Sequence, residues 1–279
     1  MEKIKMIDLE NDGLNMVADE QFLYIRCKRA MYKYDIADMS LTAHNVIFKK
    51  DGKARNFSIC DKYIFLTDFC DLYILDKSDL QVAEVIRLGT DLSSDLGVVK
   101  FDLKKAYISI RNGKMAVMDI ATRDIVKFDI SDSSFWDYCV AGNRIYAGTV
   151  DGELLEIDTK NMRIVRTAAL GKKNIYSVVL IGSLIYTVSQ DMTIKAVNAD
   201  SFETVYTAKK AVGGMAKILG VLNDNLVVAD SNKITLWDKQ TLQLREKFDF
   251  PTGSFNKGAM LHENRILGSD YQNVYCCTL

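Results

Sequence analysis

The chain has one proline, two histidines and a formal net charge of -1 in 279 residues, and each scarcity closes off a kind of chemistry. Pro251 stands alone, so almost every backbone N–H is free to join a ladder of paired strands. His44 and His262 are too few to build a multi-histidine metal site or to suggest a Ser-His-Asp triad, and both read as surface residues. A charge so near zero gives no case for a polyanion ligand, so nucleic acid is not expected as a partner. No stretch reaches the roughly 18 consecutive apolar residues of a membrane-crossing helix, and no membrane partner is expected.

The opening MEKIKMIDLENDG is charged from Glu2 onward and has no apolar core of signal-peptide length. The cysteines, Cys27, Cys60, Cys70, Cys139, Cys276 and Cys277, include no CxxC pair and read as reduced thiols of a cytoplasmic protein. Cys276 and Cys277 should point to opposite faces of a strand, which argues against a shared metal. No Walker-type glycine loop occurs; Gly213-Gly214 reads as a connector, and Asp12-Gly13 and Asp151-Gly152 as turns. No cofactor, metal site or catalytic residue is assigned.

What is present is a repeat. Its clearest copy is IYAGTVDGELLEIDTKNMRIV, from Ile145 to Val165. Apolar and polar residues alternate to Thr149, the chain turns at Asp151-Gly152, alternates again to Ile157, and turns once more from Asp158. The polar residue closing that strand recurs as Asp35, Asp76, Asp119, Asp158, Asn198 and Asp238, with Thr278 in the seventh place. The gaps are 41, 43, 39, 40, 40 and 40 residues. A second turn-former follows three residues after each of the first six: Asp38, Asp79, Thr122, Asn161, Ser201 and Thr241. An Asp or Asn side chain can accept bonds from the N–H groups two and three residues on, so these carboxylates read as turn hardware rather than ligands or catalytic acids.

Each unit resolves into four short strands, and helical periodicity is sustained nowhere. The seventh unit stops after its third strand, at Thr278-Leu279. Fourth strands elsewhere end apolar-Asp-apolar, as in Phe128-Asp129-Ile130 and Phe248-Asp249-Phe250, and so does Ile7-Asp8-Leu9. The expected fold is therefore all-β: a seven-bladed β-propeller of four-stranded antiparallel blades over residues 1–279. Residues 1–9 should supply the outer strand of the last blade and close the ring.

On this period, strand order and the Trp237-Asp238 dipeptide, the chain resembles the WD-repeat propellers. The other repeats carry Tyr-Asp, Leu-Asp, Met-Asp, Ile-Asp or Val-Asn there, the Gly-His dipeptide is missing, and quinoprotein-like propellers share the architecture. The buried Asp-His-Ser/Thr-Trp network of the WD family is not expected to be complete.

Counting ten residues back from Phe65, Tyr146, Tyr186 and Leu267 puts Arg55, Trp136, Tyr176 and Lys257 at equivalent positions at the mouth of the ring. Asp137 and Lys217 fall one residue to either side of that layer, and Lys49, Lys50 and Lys53 add charge nearby. Aromatic rings beside cations suit an interaction scaffold for a peptide or protein partner with an acidic segment. The plainer reading has Trp136 and Tyr176 wedged between blades. The alternative function is a small-molecule or sugar binder, or a lyase or hydrolase, using the same funnel. The stretch Gly89 to Gly97, in the longest gap, is either a recognition loop or an idle insertion.

Overall fold

The computed structural model describes residues 4–8, 13–48, 56–90, 95–213, 215–252, 258–270 and 272–278. Among the described residues there are 28 strands and no helix. The strands sort into seven four-stranded antiparallel sheets, six of them made from strands consecutive in sequence. Blade four is typical, with strands Phe135–Ala141, Arg144–Thr149, Glu153–Asp158 and Arg163–Ala169.

Blade seven is the exception. Its first three strands, Ala259–His262, Arg265–Ser269 and Asn273–Thr278, come from the end of the chain, and its fourth, Ile4–Asp8, from the beginning. Ile4 lies opposite Cys276 and Asp8 opposite Asn273. The first strands of the blades touch in cyclic order, from Gly13–Ala18 through Asn56–Ile59, Leu96–Phe101, Phe135–Ala141, Ile175–Ile181 and Lys217–Leu222 to Ala259–His262 and back. That circuit is a seven-bladed β-propeller whose ring is closed by the N-terminal strand, with no strand edge left open at the join.

Seven hydrophobic clusters hold the ring, and each lies between two neighbouring blades. Successive residues of one strand feed different clusters: Ile145 packs toward blade three and Tyr146 toward blade five. Cys276 and Cys277 divide in the same way, between the interfaces of blade seven with blades one and six. The expected alternation from Ile145 to Thr149 is therefore corrected. Tyr146, Ala147, Gly148 and Thr149 are all buried, because a middle strand has a blade on either face. Alternation appears in some outer strands, as in Leu41–Val46 and Val82–Arg87. Gly148 marks the closest approach of two blades: a Cβ there would stand 2.5 Å from a methyl of Ile175.

The turns between third and fourth strands repeat one design six times. The side-chain oxygen of Asp35, Asp76, Asp119, Asp158, Asn198 or Asp238 accepts the N–H two residues on. In the last four it also accepts the N–H three residues on. Four residues after the anchor, the N–H donates back to the anchor's carbonyl, at 2.8 to 3.0 Å. That fourth residue is left-handed each time, at Met39, Leu80, Arg123, Met162, Phe202 and Leu242, with φ between 54° and 68°. None is glycine, so each costs about 1 kcal/mol of backbone strain. The strain is offset by packing on the preceding blade: Leu80 is fully buried against blade one, and the Arg123 guanidinium sits 4.4 Å from the Tyr63 ring of blade two.

Candidate functional site

At the centre of the ring is a cavity of about 630 Å³ lined by the first strands of blades one to six. Trp136, Asp137, Tyr176 and Lys217 all line it, together with Lys100, Asn56 and Met215. Arg55 and Lys257, and the lysines at 49, 50 and 53, lie outside the described residues.

Strand register explains how these side chains come together. In blade four Phe135 pairs with Thr149 and Asp137 with Gly148, so Trp136 is an extra residue that the ladder skips. In blade five Ile175 pairs with Ser189 and Ser177 with Val188, so Tyr176 is skipped in the same way. Both aromatics thus sit on β-bulges, which kink a strand and re-aim one side chain. Their rings meet edge to face, 5.0 Å apart at 79°. Tyr176 is buried, whereas Trp136 remains 42% exposed. Tyr176 therefore does wedge at the blade junction, and Trp136 caps it with a face left to solvent.

The bulge at Trp136, with the later one in blade six between Ile218 and Gly220, corrects the expected offset of Asp137 and Lys217. Asp137 lies opposite Gly148 and Lys217 opposite Ala229, each the fifth residue of its second strand, so the two occupy one level. Asn15, Asn56 and Ser177 share it, opposite Arg26, Thr67 and Val188. Part of this layer stitches blades together. Asp137 Oδ2 accepts the Val178 N–H of blade five at 3.0 Å, and Ser177 Oγ accepts the Ile218 N–H of blade six at 3.2 Å.

The second oxygen of Asp137 stands 3.6 Å from Lys100 Nζ. Lys217 has no hydrogen-bond or ion-pair partner among the described residues. Burial, reinforced by the charge of Lys100 and opposed by that of Asp137, holds its ammonium below the ordinary lysine value. Burial, with Asp137 adding to it, pushes the Cys139 thiol up to about 11, so little thiolate is available there at neutral pH. Tyr138, fully buried behind the mouth, donates to the carbonyls of Tyr107 and Val98 and belongs to the scaffold.

Lys100 was missing from the positions counted along the sequence. Blade three carries the same kind of bulge between Leu96 and Val99, and Lys100 lies beyond it, opposite Tyr107, so it is off the counted level and reaches Asp137 through its long side chain. Elsewhere, His44 is exposed on the outer strand of blade one and stacks on Tyr32 at 5.9 Å. His262 is not in the turn expected for it: it closes a first strand opposite Arg265 and is partly buried. The stretch 91–94 of the long insertion lies outside the described residues, as does Gly214. Gly213 is more than a connector, since its N–H donates to Asp230 Oδ2 at 2.5 Å.

Among the described residues no group of three or more His, Cys, Asp or Glu side chains could hold a metal, and no helix is long and apolar enough to cross a membrane. Trp237 Nε1 donates to Thr235 Oγ1 at 2.9 Å, two residues back on the same strand.

Ring, closure and mouth define a seven-bladed propeller of WD-repeat-like build, with an aromatic and charged central channel. No family model and no curated protein sequence matches the chain. Solved structures do match. A chain in the crystal structure of the Mitotic Checkpoint Complex superposes with a TM-score of 0.83 at 10% identity, covering 100% of this chain and 91% of that one. The β-propeller domain of Cps50 (Swd1) from Myceliophteria thermophila gives 0.76 at 11% identity, with 100% and 99% covered. The computationally designed Ika8 protein gives 0.70 at 11%, with 99% of each chain covered. At these identities the likeness is one of fold.

Proposed function

We propose that the protein is a non-catalytic cytoplasmic scaffold that holds an acidic segment of a protein or peptide partner at the mouth of its central channel. The observation that carries this reading is the pair of bulges that turn Trp136 and Tyr176 out of their ladders beside the level of Lys217, with Lys100 lining the same cavity. A bulge gives up ladder hydrogen bonds, and ring closure alone does not require an indole left 42% exposed beside them. A large, stiff aromatic face beside cations is the composition of an interaction hot spot.

Trp136 and Tyr176 form the apolar anchor, and Lys217 supplies charge. Arg55 and Lys257 occupy the same sequence register in blades two and seven. Asp137 orients Lys100 and the neighbouring strand rather than the partner. The occurrence of a chain of this fold in the Mitotic Checkpoint Complex, an assembly of proteins, supports a protein partner as the class. Affinity capture from the native source, read by quantitative mass spectrometry, tests the reading. The Arg55→Ala/Trp136→Ala double variant should lose the proteins retained by the wild type while keeping its melting temperature. Undiminished retention would reject the mouth.

A further inference from the structure

Building on the mouth as the binding face, we infer that the channel behind it is a site for a single carboxylate, received by the ammonium of Lys217. Charge accounting inside the ring leads there. Both oxygens of Asp137 are engaged, one by the Val178 N–H at 3.0 Å and the other by Lys100 at 3.6 Å. Lys217, on the same level across the channel, feels the charge of Asp137 but has no hydrogen-bond or close ion-pair partner of its own among the described residues.

Several cations lodged between other blades give the contrast. The ammonium of Lys33, buried between blades one and two, donates to the carbonyls of Lys77 and Ser78 at 3.1 and 3.2 Å and sits 3.9 Å from the Phe22 ring. Arg166 reaches the carbonyls of Ala199 and Asp200 as well as Glu156. Lys127 and Lys195 each donate to a backbone carbonyl of the preceding blade, at Leu88 and Leu170. These cations, from buried Lys33 to exposed Lys127, are each capped by a protein oxygen, which relieves the cost of holding a charge against the blades. Lys217 lacks its cap and faces a cavity of about 630 Å³, room for an acidic side chain or a chain terminus.

The same site is linked to protons. Lys217 is held below its ordinary value first by burial and then by Lys100, with Asp137 acting the other way; Tyr176 is the other ionisable group lining that side. An incoming carboxylate favours the charged ammonium, so its binding draws a proton onto Lys217 and weakens as the pH rises past the lysine's own titration.

The wild-type protein suffices for the test. Lysine acetylation by acetic anhydride is followed residue by residue with peptide mass spectrometry from pH 6 to 11, with and without three probes. These are acetylated, amidated triglutamate; the matching triglutamine; and acetyl-triglycine with a free terminal carboxylate. At a probe concentration twice its Kd, the acidic probe should slow acetylation of Lys217 about threefold by mass action and move its pH midpoint upward. Protection by triglutamate assigns an acidic side chain as the source, and protection by acetyl-triglycine a chain terminus; either supports the site. Equal protection by triglutamine, or no protection by either acid, overturns it. The mouth is judged separately by the Arg55→Ala/Trp136→Ala capture experiment, so the channel site can fall while the platform stands.

Discussion

The rim turns and the channel mouth have been built under opposite rules. Six times around the rim, a side-chain oxygen, a back-donated N–H and a left-handed fourth residue repeat with little variation. At the mouth, one level of the first strands carries Asn15, Asn56, Asp137, Ser177 and Lys217, and the bulged residues beside it include an indole and a phenol. The turn solves a problem every blade shares, reversing the chain and seating its fourth residue on the preceding blade. That problem has one good answer. The mouth is the end of a channel, where packing asks less of each side chain, so its residues are free to differ. If this division holds, changes in repeated positions should cost stability, and changes at the bulges should cost binding.

The largest effect should come from removing the one strand that joins the chain's two ends. Deleting residues 1–8 exposes the edge of Asn273–Thr278, and should lower the melting temperature by roughly 10 °C or more and produce soluble oligomers by light scattering. A monomeric truncation with unchanged melting would break the closure. Next is Leu80, fully buried and left-handed at φ 64°. Leu80→Ala should cost about 3 kcal/mol, or roughly 6–9 °C. Leu80→Gly should cost less than Leu80→Ala, since glycine accepts the left-handed backbone without strain. The usual order, with glycine the worse, would show that the turn is not strained.

At the mouth the expectation reverses. Trp136→Ala should leave the melting temperature within about 2 °C of the wild type, as befits a side chain 42% exposed, while removing partner retention. A loss of stability as large as that of Leu80→Ala would return Trp136 to the scaffold. The smallest effect concerns acid. Bonds from the Thr122 and Ala121 N–H groups hold Asp119 below the ordinary carboxylate value. A group whose folded value is lowered stabilises the fold above its unfolded value and loses that contribution as the pH falls through the folded one. Asp119→Asn, copying the neutral anchor Asn198 of blade five, should therefore make melting slightly less sensitive to pH below about 4. An identical acid profile would place the effect elsewhere.

The repeat, the closing strand and the anchors at Asp35, Asp76, Asp119, Asp158, Asn198 and Asp238 were all legible in the sequence, because each depends on spacing along the chain or on a bond spanning two or three residues. The left-handed residues left only a faint trace, an apolar residue four places after most anchors, since nothing marks them as glycine does. The bulges were not legible at all. Whether Trp136 is paired or skipped is decided by its alignment with Gly148 and Thr149 on another strand, so counting along the chain placed Asp137 and Lys217 on different levels. Lys100, opposite Tyr107, lies off the counted level altogether, and only its reach across to Asp137 brings it to the site. Even spacing reveals the shared scaffold; the bulges that recur between first and second strands of blades one, three, four and five show only in the pairing.

Site-specific photo-crosslinking puts this division to its most direct test, with benzoylphenylalanine introduced in place of Trp136 in one sample and of Val126, exposed on the outer strand of blade three, in another. Illuminated in the native cell extract, the first should give a discrete protein adduct and the second none. An adduct from position 126 with nothing from position 136 would contradict the account, moving recognition from the channel mouth to the outer edge of the blades.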